Sequence, residues 1–99
     1  MGYSLSVPKE IIPKFEIGQL VATPNAIERI PKGEIVQALA KHIRGDWGTL
    51  DNEDWRANDD AIKHGGRILS AYKSSRGEKF WIITEADRSV TTVLLPEDY

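Results

Sequence analysis

The chain has 99 residues, 13 of them basic and 15 acidic, for a formal charge of −2, and it contains no cysteine. That charge is too small for a whole-surface nucleic-acid binder or a whole-surface mimic of one, and the missing thiols exclude disulfide frameworks, thiolate metal sites and cysteine nucleophiles. With 40% hydrophobic and 28% charged residues the composition suits one folded domain that removes about 60–65% of its unfolded surface from water. No apolar run approaches the roughly 18 residues of a membrane span, and the N-terminus lacks the basic and apolar regions of a signal peptide, so a cytoplasmic setting is expected.

Residues 1–15 are expected to be a flexible N-terminal arm, and residues 16–99 a single α+β domain. A first strand is expected within Phe15–Thr23, with Phe15, Ile17 and Val21 on one face and Gly18 at a bulge or a close backbone approach. Thr23 then reads as an N-cap and Pro24 as the first residue of a short helix that runs to Ile30 and stops at Pro31. From Glu34 to Arg44 the residues Ile35, Val36, Leu39, Ala40 and Ile43 form one stripe of a 3.6-residue period, closed by Gly45.

Asp51 opens the next helix. Its carboxylate can cap the N–H of Asp54, Leu50 can meet Trp55 as a hydrophobic staple, and Trp55, Asn58, Ala61 and Ile62 make a narrow inward stripe before Gly65-Gly66. The last third reads as an antiparallel meander. Its runs, Ile68–Lys73, Phe80–Glu85 and Val90–Leu95, are dense in β-branched and aromatic residues, and the breaks between them suit hairpins and are too short for parallel crossovers. The expected architecture is an antiparallel sheet of about four strands, one N-terminal and three C-terminal, with helices packed on one face.

Candidate chemistry is sparse. His42 and His64 each fall in the last turn of a helix, where a partly exposed histidine suits the dipole. Asp59 and Asp60 point about 100° apart on their helix, which argues against a shared proton or metal. With no phosphate loop and no hydrolase or metalloprotease signature, no catalytic residue, cofactor or metal is expected.

Charge is more informative in its distribution. Between Asp46 and Asp60 six acids (Asp46, Asp51, Glu53, Asp54, Asp59, Asp60) face one base (Arg56), a local −5. Between Arg29 and Arg44 four bases (Arg29, Lys32, Lys41, Arg44) face one acid (Glu34), a local +3. Either the two stretches attract each other or are solvated, or the acidic helix meets a protein partner with a basic surface. Trp47, between Asp46 and Gly48, is either a plug in the core or an exposed aromatic anchor. If helices cover one sheet face only, Leu69, Trp81 and Ile83 would leave an apolar patch on the other, favouring a partner or a homodimer.

The combination of Arg44-Gly45-Asp46-Trp47-Gly48, Gly65-Gly66-Arg67, Ser70-Ala71-Tyr72 and Trp81-Ile82-Ile83-Thr84-Glu85-Ala86-Asp87-Arg88-Ser89, with Leu94-Leu95-Pro96-Glu97-Asp98-Tyr99, resembles a family of small bacterial proteins. That family is found on chromosomes and mobile elements and is usually labelled plasmid-related protein or type I restriction subunit. The resemblance covers Gly18 to Tyr99 and implies a mobile-element or defence-related origin without an established chemistry. The chain lacks the length and the glycine-rich strand-to-helix turn of a methyltransferase domain. In order of elements it is also similar to the RelE and ParE toxin superfamily, which implies an alternative endoribonuclease using Arg67, Lys79, Arg88 and Tyr99. The leading expectation is a non-enzymatic protein-interaction module, with nucleic acid and membrane not expected as partners.

Overall fold

The computed structural model describes residues 3–4 and 13–99. The expected arm over residues 1–15 therefore lies mostly outside the described residues. The strands are β1 (Tyr3–Ser4), β2 (Gln19–Ala22), β3 (Ile68–Lys73), β4 (Lys79–Thr84) and β5 (Val90–Leu94), and the helices are α1 (Pro24–Arg29), α2 (Lys32–Ile43) and α3 (Asn52–His64). No helix among the described residues is long and apolar enough to cross a membrane.

The α+β class, the three helices and the C-terminal meander are as expected, but the sheet is mixed. Its order is β1-β2-β5-β4-β3, and β2 runs parallel to β5 with Leu20 opposite Thr91 and Ala22 opposite Val93. Short breaks forbid parallel pairing only inside the meander. Between β2 and β5 the chain has all three helices and two strands in which to make the crossover that a parallel pair requires. The remaining pairs are antiparallel.

One sheet face carries Leu20, Ala22, Tyr72, Phe80, Ile82 and Val93, and α1 and α2 cover it with Ala26, Ile30, Ile35, Ala38 and Leu39. A second cluster joins Trp47, Ala61 and Ile68, with Phe15, Leu50, Trp55 and Ile62 packed around it, and docks α3 beside β3. Gly18 explains why the expected strand face is wrong. Its φ is +59°, and a Cβ there would lie 2.3 Å from the Ser89 carbonyl oxygen. The backbone turns at this contact, so Ile17 packs toward the core before it, and Leu20 and Ala22 instead of Val21 do so after it.

The stripe of α2 is also rotated from expectation. Ile35, Ala38, Leu39, His42 and Ile43 are buried, while Val36 and Ala40 sit at the margins. His42 is thus a core residue and not a partly exposed one.

On the helix-free face the expected apolar patch is largely closed. Ile83 keeps 2% of its exposure and Leu94 6%, and Tyr99, 66% exposed, is the exposed large hydrophobic side chain among the described residues. The chain after β5 turns back through Pro96–Asp98 and sets Tyr99 edge-on to Trp81, ring centroids 5.7 Å apart.

Candidate functional site

The candidate surface begins where α2 ends. The Gly45 N–H donates to the His42 carbonyl at 3.1 Å and the Asp46 N–H to the Lys41 carbonyl at 2.8 Å, a Schellman motif that turns the chain toward the edge of β3. The Asp46 carboxylate then accepts the Gly48 N–H at 3.2 Å, and its backbone carbonyl accepts the Tyr72 hydroxyl at 2.8 Å. Burial of that phenol raises its pKa well above the usual range. Gly48, at φ +75°, lies so close to β3 that a Cβ would meet the Ala71 carbonyl oxygen at 2.0 Å. This approach lets Thr49 donate to, and Trp47 accept from, the Ala71 backbone at 2.8 and 3.2 Å.

Trp47 is a plug and not an exposed anchor. Its side chain is fully buried against Phe15 and His42, and its one polar atom, the indole N–H, donates to the Asp59 carboxylate at 3.1 Å. An indole whose only donor is satisfied from α3 has no reason to face water.

α3 is capped at its start and seated on the fold in its middle and at its end. At its start the Asp51 carboxylate accepts the Asp54 N–H at 2.9 Å, as the sequence predicts. In its middle the buried Asn58 amide grips the backbone of Leu69, donating to the carbonyl at 2.6 Å and accepting the N–H at 3.1 Å. At its end Arg88 donates to the carbonyls of Ala61 and Gly66 at 2.9 and 2.5 Å. Asn58 and the Trp47–Thr49 segment together satisfy the outward backbone of β3 at Leu69 and Ala71, so the edge strand is covered there.

The acids sit on the outside of this seated helix. Asp51, Glu53, Asp54, Asp59 and Asp60 are all exposed, whereas Asp46 is half-buried in its turn. At 100° per residue Glu53 and Asp60 share the outer crest with the exposed Arg56 between them, and Asp59 lies to one side, tied to Trp47. Among the described residues the two ion pairs are Arg29–Glu97 at 2.9 Å and Arg67–Glu85 at 3.8 Å. Among the described residues the basic stretch forms no ion pair with α3: Arg29 is committed to Glu97, and neither Lys32, Lys41 nor Arg44 pairs with an α3 acid.

The residues named for a nuclease are not brought together. Arg67 and Tyr99 meet, with the guanidinium 5.0 Å from the ring centroid and hydrogen-bonded to the phenol oxygen. Lys79 pairs in register with Lys73 at the far end of the β3–β4 ladder, roughly 20 Å along the strand from Arg67. Arg88 is spent on carbonyls of α3 and its connection, and it adopts a φ of +62° to reach them. In its turn Asp87 accepts the Ser89 N–H at 3.0 Å, and the Ser89 hydroxyl first and then this N–H hold its carboxyl below the usual range.

A polar chain through the core was missed from the sequence. His42 Nδ1 lies 2.6 Å from the Ser70 hydroxyl and Nε2 2.8 Å from that of Thr84. Thr84 lies 2.7 Å from Thr91, whose hydroxyl donates to the Ile17 carbonyl at 2.8 Å. Proton accounting assigns every bond. Thr91 spends its one hydrogen on Ile17, so Thr84 must donate to Thr91 and accept from His42 Nε2–H, leaving Nδ1 to accept from Ser70. The imidazole is neutral, with Phe15 and Trp47 edge-on at 5.4 and 5.6 Å and no carboxylate among these partners. Burial lowers its pKa to about 3. A ring without solvent access and with both nitrogens occupied orders the core and does not perform base catalysis. No group of three or more potential metal ligands occurs among the described residues.

The fold and surface define a mixed-sheet α+β domain with an acid-rich helix on its rim whose acids enter no ion pair among the described residues. No family model, curated protein or solved structure matches the chain.

Proposed function

We propose that this protein is a non-enzymatic interaction module that presents the outer crest of α3 to a protein partner with a basic surface. The carrying observation is that the α3 acids are exposed and without an ion-paired base among the described residues, on a helix fixed at both ends and in the middle. A fixed surface with acids in excess, four against Arg56 and Lys63 on α3, adds little to stability, but it steers an oppositely charged partner and sets its orientation. Trp47 serves the surface indirectly, by holding Asp59. A mobile-element or defence-related origin, as the family resemblance implies, agrees with such a role. The +3 stretch on a second copy of this chain is the homodimeric form of the same reading.

The test is affinity capture with the wild type and a Glu53→Lys/Asp60→Lys variant, which reverses the crest without touching the cap or the Trp47 contact. A partner retained at low salt should be lost from the variant, with association slowed about tenfold or more, and the difference should vanish at about 0.5 M salt. Sedimentation of the wild type in low salt separates self-association from capture of a different protein. Equal retention by both forms at low salt would sink the reading.

A further inference from the structure

The helix-free face of the sheet has one corner that carries an unusual pairing. Lys73 stands opposite Lys79 and Ala71 opposite Trp81, all four with side chains on this face. The Ser74 N–H donates to the Glu78 carbonyl at 2.8 Å, so alternation makes Lys73/Lys79 a non-hydrogen-bonded pair, the kind whose side chains stand closest. Like charges directly opposed in this way work against folding. Neither lysine belongs to an ion pair among the described residues. The adjacent Glu78 forms no ion pair with either lysine among the described residues.

The neighbouring rung supplies an aromatic plane. Ala71 is too small to cover the half-buried indole opposite it, and Tyr99 holds Trp81 from the side of Arg67, away from the lysines. A cavity of about 530 Å³ opens there, lined by Lys73, Lys79, Trp81, Ala71, Thr49 and Pro96. Because the Lys73 rung is non-hydrogen-bonded and β3 is an edge strand, the Lys73 N–H also points outward at this corner.

We propose that this cleft binds a nucleoside phosphate, with the phosphate between Lys73 and Lys79 and the base against Trp81. A bare anion would leave the indole unused, and an apolar ligand would leave two opposed ammonium groups without a counter-charge. A phosphate joined to a planar base satisfies both, and the volume falls within the range of small-molecule sites, about 300–1,000 Å³. The ligand is either a free nucleotide or a nucleotide unit of a single strand, which share this chemistry. The inference is independent of the α3 surface.

The experiment is a tryptophan-emission titration at low salt with AMP, with inorganic phosphate and with an eight-nucleotide single strand. Saturable quenching by AMP, competed by phosphate, is expected. It should be at least about tenfold weaker in Lys73→Gln/Lys79→Gln, absent in Trp81→Phe, and unchanged in Glu53→Lys/Asp60→Lys. Similar affinities for AMP and the strand would identify a free nucleotide; much tighter binding of the strand would identify a nucleic acid. Lys79→Glu should raise the melting temperature while abolishing the quench. No saturable quenching by either nucleotide up to about 10 mM, or quenching undiminished in the double lysine variant, would overturn the proposal. So would a lower melting temperature for Lys79→Glu.

Discussion

The buried His42 makes the stability of this protein depend on pH in a way that a single substitution should remove. In the folded chain the imidazole is neutral, with its pKa lowered by burial to about 3, against an ordinary value of 6.5. In the unfolded chain it titrates normally, so between those values the unfolded state binds the extra proton. The associated stability is fully present above about pH 6.5 and is lost as pH falls toward 3. Integrated from pH 7 to pH 5, one such group costs about 2 kcal/mol, since each pH unit below the unfolded pKa is worth about 1.4 kcal/mol. Glutamine at this position retains one donor and one acceptor but does not titrate. Urea unfolding of the wild type and His42→Gln, each at pH 7 and pH 5, isolates the effect, because the carboxylates are common to both proteins and cancel in the difference. The wild type should lose about 2 kcal/mol more than the variant over this interval. Parallel losses would refute the assignment of a neutral, water-excluded imidazole, as would His42 ring resonances that titrate between pH 8 and 5.

Two further substitutions test the contacts that place α3 and the Trp47 connection. Gly48→Ala sets a Cβ against the Ala71 carbonyl at positive φ and should cost about 2 kcal/mol or more, whereas Gly33→Ala, in α2 with nothing near its Cβ, should gain up to about 1 kcal/mol. Thermal unfolding reads both, and shifts of the same sign would contradict the geometry. Asn58→Leu removes both bonds to Leu69 and should cost about 2–4 kcal/mol in urea unfolding, with concentration-dependent association as the edge of β3 is uncovered. A near-neutral result would mean that the amide does not hold the strand.

Local chemistry was the legible part of this chain. The Thr23 and Asp51 caps, the proline at the start of α1 and the hairpin turns depend on residues within a few positions of one another, and they form as the sequence predicts. The parallel seam between β2 and β5 depends on residues about 70 positions apart, and no short-range signal reports it. His42 was hidden by a plausible alternative, the favourable helix C-terminus, although it follows Leu39 by three positions and Ile35 by seven on the buried stripe. A clearer signal lay in the strands. Ser70 falls between the inward Ile68 and Tyr72, Thr84 follows Phe80 and Ile82, and Thr91 precedes Val93, so three neighbouring strands each carry a hydroxyl at an inward position. The acidic character of α3 was readable from composition. The absence of ion pairs between its acids and the basic stretch, among the described residues, was not, because that depends on where side chains such as Arg29 go.

The hydroxyl chain reaches the Ile17 carbonyl across the seam that joins the beginning of the described fold to its end. Hairpins of the meander can close among near neighbours, but β2 must find β5 over a long loop, so this seam carries the largest closure cost of the sheet. Until it closes, the Thr91 proton has no Ile17 acceptor and the hydroxyl chain that ends on the imidazole is incomplete. A seam slipped by one residue would move that carbonyl away and turn the side chains of β2 to the wrong face. The relay therefore acts as a register check: its last bond forms only when the most distant strands are correctly aligned.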